Sequence, residues 1–578
     1  TKLLIEGKLF FDGSTKLAIE NIPADVMDKI QIISNYKESE LLKNIADNED
    51  LALNVVLKED KKDFTFGDLE AAIGFGLDEF YSLHPAIFKY SPKSNISFIG
   101  DINNYNKSSI NFSDLSRLVG GSSNLFKKSD LTNNLLNAAS SNEERFESLT
   151  RFSALNFQHE FNQKFNVSGY AIYSNNDIIN KSLSTREYLG SNPVLETRND
   201  FRDADDSSAI LNLKIDFNPD SNQKWIYNIN FLRYTSNFEQ ESLSVSETSN
   251  QFFSTANGLG NTFSQNLEGY LKLNDKHTMA VGLHHSITNS NSIEDWTSDV
   301  IFLQDFLPLN TTTNYNIKQD GMVNAEKLNI LLKDYWLANK NFHLFYNFGY
   351  NFKKSRIRSN LSQVLSNNTS LDFLELSNNN PLSLADVNFG LGLKTKLNKF
   401  EIIVEANPHY FEFNRSQINS TSLFIEPKVK VSYNIDDDVN LNFDYDYTNN
   451  YLNDLSYLIN PRVTGFNSVV QGNPYLEDER SHNFSVFFSN YKHIDDYFID
   501  VAVDYNINNP VKNNSIIQTG INQLSKPIIL NLPAENLSLD TDFGLLFNKS
   551  SLEFGLDLNW QKTNQIINEE VNFINTFE

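Results

Sequence analysis

The chain contains no cysteine. Disulfides, thiolate metal sites and cysteine nucleophiles are therefore excluded. It also contains no run of 18 apolar residues, which excludes a membrane-spanning helix. A membrane barrel is not excluded, because its alternating strands average to a polar hydropathy; the mean hydropathy here is −0.41. Positive charge is in short supply. Lys and Arg total 48 against 73 Asp and Glu, a formal net charge of −25. A nucleic-acid partner is not expected, since phosphate binding needs clustered cations. No G-x-S-x-G, P-loop or HExxH pattern occurs, so no enzyme is expected.

What the chain has in excess is aromatic residues: 45 Phe, 24 Tyr and 4 Trp. Most of them lie in segments with a period of two. In "NLNFDYDYT" (440–448), Leu441, Phe443, Tyr445 and Tyr447 share one face and Asn440, Asn442, Asp444 and Asp446 the other. "SLEFGLDLNW" (551–560), "NFHLFYNFGY" (341–350) and "DVNFGLGLK" (386–394) behave alike. Successive side chains of a strand face opposite sides, so these are strands with one apolar and one polar surface.

Strand length and connection length separate a soluble sandwich from a membrane barrel. Many alternating runs last about 10–14 residues. Soluble strands average about five or six, and a tilted membrane strand needs about 9–11. Short turns fall at 91–94, 162–164, 218–223, 274–276, 338–341, 398–399, 435–438, 492–495 and 548–550. Between them lie mostly long polar segments, near 104–150, 175–206, 237–260, 290–323, 355–384, 450–480 and 508–535. Alternating short turns and long loops is the pattern of an outer-membrane barrel. The expected fold is all-β: a transmembrane antiparallel β-barrel of about 19–20 strands over 63–578, preceded by a small α/β segment over 1–62. About nineteen strands are complete and "EEVNFINTFE" begins a twentieth. Even strand numbers and closed edges are the rule for such barrels, so the sequence reads as a fragment, with the barrel C-terminally incomplete.

The first sixty residues read as strand, helix, strand, helix, strand, with Pro23 in a first helical turn and Leu41, Leu42 and Ile45 at helical spacing. Ile22, Pro23, Val26, Ile30, Ile32 and Ile33, then Leu53, Asn54, Val55 and Lys58, resemble the second half of the plug domain of TonB-dependent outer-membrane receptors. "QGNPYLEDERSHNFSV" (471–486), with Asn460-Pro461 upstream, is similar to that family's "GNP.L.pE" segment before a late strand. The Gly-rich plug stretch common in siderophore transporters is replaced by "SNYKESELLKNIADNED". The chain thus resembles a divergent branch that often carries an N-terminal carboxypeptidase-regulatory-like domain.

The resemblance implies a plug remnant at 1–62, a barrel of 22 strands in the complete protein, and an integral place in the cell outer membrane of a Gram-negative bacterium. It implies uptake of a ligand through a plugged barrel, outer-membrane lipid and a TonB-type energy-coupling complex as partners, and a surface lipoprotein as a further one. The ligand and its binding residues stay unidentified. The alternative is a barrel that no longer transports and acts as a scaffold in a surface complex.

Candidate chemistry is sparse, and no catalytic, cofactor or metal residues are assigned. His84, His159, His277, His284, His285, His343, His409, His482 and His493 show no ligand spacing, and the adjacent His284 and His285 face opposite sides of a strand. "DADD" (203–206) and Asp436-Asp437-Asp438 are solvated acids or cation sites. "LVGGSSN" (118–124) is a Gly-Ser loop without the features of a phosphate cradle. The aromatics Phe252, Phe253, Tyr315 and Tyr457 either pack within loops or stack on a ligand.

Overall fold

The computed structural model describes residues 2–9, 26–33, 41, 52–61, 63–76, 79–91, 93–106, 146–188, 193–312, 314–416, 418–436, 438–450, 454–492, 497–547 and 550–578. The helices expected around Pro23 and 37–46, the Gly-Ser loop 118–124, most of the 104–150 connection, Asp437 and His493 lie outside these residues.

Twenty strands build a wall, each antiparallel to the next, from Phe64–Phe75 to Glu570–Phe577. The sheet rolls into a barrel. Its first and last strands follow one another in the cyclic order. Among the described residues, however, no register joins them. Glu570–Phe577 is exposed at every position, and Phe64–Phe75 at nearly every position whose burial is described. Expected and observed strand numbers agree, and the twentieth strand is the short one, with 8 residues.

The wall is inside out relative to a soluble protein. In Asn378–Leu397, Phe389 and Leu391 are 58% and 71% exposed, while Asp386 and Asn388 are buried. In Phe400–Arg415, Val404 and Tyr410 face outward and His409 turns inward to Asp386 at 3.0 Å. An apolar band outside and polar side chains inside suit lipid around a wet lumen.

The nine short turns join strands at one rim. Toward the other rim the strands run far beyond what a bilayer needs. Seven consecutive strands, Phe165–Tyr188 to Phe342–Val364, are 22–27 residues long. The polar segments 175–206 and 237–260, expected to be loops, are mostly paired strand: Tyr188 pairs with Val194 and Val245 with Ser249. Both faces are wet above the apolar band, so polar residues erase the alternation while backbone pairing continues.

Inside the barrel lies a small sheet of four strands in the order Lys8–Leu9, Lys2–Ile5, Ala52–Leu57, Met27–Ile33. Leu3, Ile5, Val26, Val55 and Leu57 pack against the inward Phe88, Tyr90, Ile99, Phe152, Tyr170 and Ile210 of the wall. Asn54, from the plug-like motif, accepts a hydrogen bond from the Gly7 N–H at 2.7 Å and donates to Gln31. Gly7 has φ +77°, which glycine adopts without strain, and this turns the first hairpin.

A charge on the outer face tests the membrane reading. An exposed leucine in a soluble protein tolerates Leu→Arg within about 0.5 kcal/mol. Leu391→Arg is expected to cost about 2–4 kcal/mol in a bilayer, read as a fall in the urea midpoint of protein refolded into vesicles. An unchanged midpoint would count against lipid at this face.

Candidate functional site

The site is built where the extra-long strands meet segment 454–478. This segment leaves the wall and crosses the mouth. At one foot Lys353 Nζ donates to Asp454 at 2.5 Å, and Arg415 donates to the Leu476 carbonyl. Asn460 and Asn378 hold each other: the Asn460 N–H donates to Asn378 Oδ1 at 2.9 Å, and Asn378 Nδ2 returns a bond to the Asn460 carbonyl at 3.1 Å.

The "QGNPYLEDER" stretch supplies the crossing's rigidity. A Cβ on Gly472 would lie 2.4 Å from the Leu458 backbone nitrogen, so only glycine permits that approach. The Asn473 N–H donates to the Ser456 carbonyl at 2.7 Å, and Leu476 is buried beside Tyr457, Phe413 and Leu382.

The middle of the crossing is the hairpin Arg462–Gly465/Ser468–Val470. It reaches the opposite wall. Gln319 is bonded twice to the Val463 backbone, at 3.0 and 3.1 Å. Asn467 Nδ2 donates to the Tyr188 hydroxyl at 3.2 Å. Ser468–Val470 also pairs in parallel with Gln523–Ser525 of a second inserted hairpin, Val511–Thr519/Asn522–Leu530. Together these pieces form a cap.

Beneath the cap hairpin is a cavity of about 770 Å³, within the range of small-molecule sites. Two other cavities, of about 250 and 340 Å³, lie toward the short-turn rim, beside Gly7 and beside Lys272. The large cavity has aromatic side chains, Phe238, Phe252, Trp296 and Phe466, and three arginines, Arg186, Arg198 and Arg462. Phe466 stacks on Phe252 with centroids 4.0 Å apart and planes 12° apart, and the Arg198 guanidinium covers the Phe466 ring at 4.4 Å.

Arg198 is held by the buried Glu196, with Nη2 donating at 2.8 and 3.0 Å and Nε at 3.2 Å. Glu196 also accepts from the Tyr188 hydroxyl at 2.7 Å and from Ser244 Oγ. It lies 24 positions from Asp220 at the short turn, above the apolar band. Burial pushes its carboxyl up, but the bonds from Ser244 and Tyr188 and the charge of Arg198 outweigh burial and hold it below the usual carboxylate range.

Of the loop aromatics, Phe252 does reach the cavity, stacked on the cap. Tyr315 is buried in the cluster with Phe302 and Leu307, and Tyr457 in the cluster with Phe413 and Leu476. Phe253 also lines the cavity and is 49% exposed. The histidines are scattered, as their spacing suggests: His84 bonds Asp101, His284 bonds Asn266 and His285 bonds Glu326. The acids of 203–206 continue the strand Val194–Asp220, where Asp205 accepts from Asn175. Asp436 accepts from the Asp438 N–H within its own turn.

The arginines of the cavity were not singled out from sequence. The signal was present in Glu196-x-Arg198, since positions two apart on a strand share a face. Nothing in the sequence placed Arg462 opposite Glu294, 168 positions away, at 3.4 Å.

No family model and no curated protein matches the chain. Solved structures of similar outline include the RagAB peptide importer in a "closed-closed" state, at 9% identity over 100% of this chain and 68% of that one, with a TM-score of 0.45. The siderophore receptor PiuA from Acinetobacter baumannii aligns at 9% identity over 97% and 82%, with a TM-score of 0.45. The siderophore receptor PirA from Pseudomonas aeruginosa aligns at 10% over 100% and 83%, with a TM-score of 0.43.

Glu196→Ala would leave Arg198 buried without its carboxylate, a loss of about 3–5 kcal/mol. Ser244→Ala removes one bond from the cluster, about 1–3 kcal/mol. Urea titration in detergent measures both, and equal, negligible effects would contradict the cluster's role. Because the Glu196 carboxyl is lowered in the folded state, its contribution is complete above the free-glutamate range and is lost as pH falls through the lowered value. Glu196→Gln should flatten that acid limb of a stability–pH curve.

Proposed function

We propose that this chain is the plug segment (1–62) and barrel wall (63–578) of an outer-membrane receptor of the TonB-dependent kind, which takes up a ligand through a plugged barrel. One observation carries the reading: an internal sheet packs on the lumenal wall while a roofed, aromatic and charged chamber stands at the far mouth. A plugged pore has no use as an open channel, and a chamber above a plug is placed to hold a ligand before the plug moves.

On this reading the short-turn rim faces the periplasm and the cap faces outward. Aromatic side chains of the outer face sit in lipid and at its interfaces. The periplasmic partner is a TonB-type energy-coupling complex, and a surface lipoprotein is a candidate partner on the capped side. Capture needs no covalent chemistry: the chamber binds, and work done on the plug opens the path. The similarity in outline to a peptide importer and to siderophore receptors fits an uptake role without naming the ligand.

The plug contacts supply the test. Leu57→Asp, or the pair Val55→Asp and Leu57→Asp, places carboxylates against Phe88 and Phe152 in a packed cluster. Cells carrying wild-type protein should exclude a large antibiotic such as vancomycin, and the variants should become several-fold more sensitive at equal barrel abundance. Equal sensitivity would refute a plug that seals the lumen.

A further inference from the structure

We infer that the chamber is selective for an organic monocarboxylate carried on a flat apolar frame, with Arg186 and Arg462 as the anion-binding side chains and Phe238 and Trp296 as the apolar ones. The inference rests on the receptor reading and names the ligand class for its site.

The charge distribution is the first argument. The protein is strongly acidic, yet three of its twelve arginines line this one cavity. Arg198 is already neutralised by Glu196, so it holds the roof and is not available to a ligand. The other two are poorly matched. Arg462 reaches Glu294 Oε1 only at 3.4 Å, through one nitrogen, and its buried Nε has no hydrogen-bond partner among the described residues. Arg186 has the Tyr188 hydroxyl as neighbour, and among the described residues it forms no ion pair.

Guanidinium groups are planar forks that fit a carboxylate through two parallel bonds. An incoming carboxylate gives Arg462 the bidentate partner that Glu294 does not, since Glu294 Oε2 is occupied by Gln319 Nε2 at 3.2 Å.

The second argument limits the charge. Glu294 stands in the same cavity, and a dianion such as phosphate would meet its field directly, whereas a monoanion bound at the arginines balances it. The third argument is shape. Phe238, which carries the Arg202 guanidinium 4.2 Å from its ring centroid, the half-exposed Phe253 and an edge of the largely buried Trp296 line the cavity, and a flat apolar group beside the carboxylate would bury against them. A small hydrophilic anion would leave that surface uncovered.

Calorimetric titration of the barrel in lipid nanodiscs with 3-phenylpropionate, its neutral amide and inorganic phosphate decides the matter. The acid is expected to bind, the amide at least tenfold more weakly, and phosphate not to compete. The double variant R186Q/R462Q should lose the preference for acid over amide while still inserting as a folded barrel. Trp296→Phe keeps a ring and should keep that preference. Equal binding of acid and amide, no binding of the acid, displacement by phosphate, or an unchanged preference in the double variant would each overturn the inference. Nanodisc insertion reports separately on the membrane reading, so an inserted barrel that ignores the acid overturns the ligand class alone.

Discussion

Everything in this molecule depends on the need of backbone amides and carbonyls for partners where water is missing. In hydrocarbon an unpaired group costs several kcal/mol, so the wall must pair every strand with its neighbours. Nineteen consecutive antiparallel ladders meet that need, and they fix the register that puts Phe389 and Leu391 outside and Asp386 and Asn388 inside.

Backbone pairing also explains what stands above the membrane. The ladders continue well past the bilayer, so the far mouth is a rigid palisade and not a ring of separate loops. A rigid palisade gives the crossing segment fixed partners: Tyr188, Gln319, Asn378 and Arg415 each hold it from a different strand. The chamber is the space left between palisade and cap. Its buried Glu196–Arg198 pair is worth less as net stability than as a fixed geometry, because desolvation offsets much of the attraction.

Much of this was legible in the chain. Period-two alternation located the wall strands, and the short turns fixed their order and number, because turn chemistry and a two-faced environment leave local signals. The "QGNPYLEDER" stretch was visible as a motif, though its job was not. Gly472 matters because of the Leu458 backbone, a contact made within the folded crossing. Where both faces of a strand are wet, as in 175–206, the sequence carries no period, so strand was read as loop. The chamber was illegible for another reason: Arg462, Glu294 and Tyr188 meet only through long-range packing, and their types are common in polar runs. Phe252 was visible as a candidate, but its stacking on Phe466 was not.

The central claim is a wall with lipid on one face and a wet, plugged lumen on the other. The absence of native cysteine allows single cysteines to be placed along Phe400–Arg415 and spin-labelled in vesicles. Collision with oxygen reports lipid, and collision with a water-soluble nickel chelate reports water. The account predicts that positions 402, 404, 406, 408 and 410 favour oxygen and that 403, 405, 407 and 409 do not, alternating along the strand. Uniform access of the nickel chelate to both sets would contradict it.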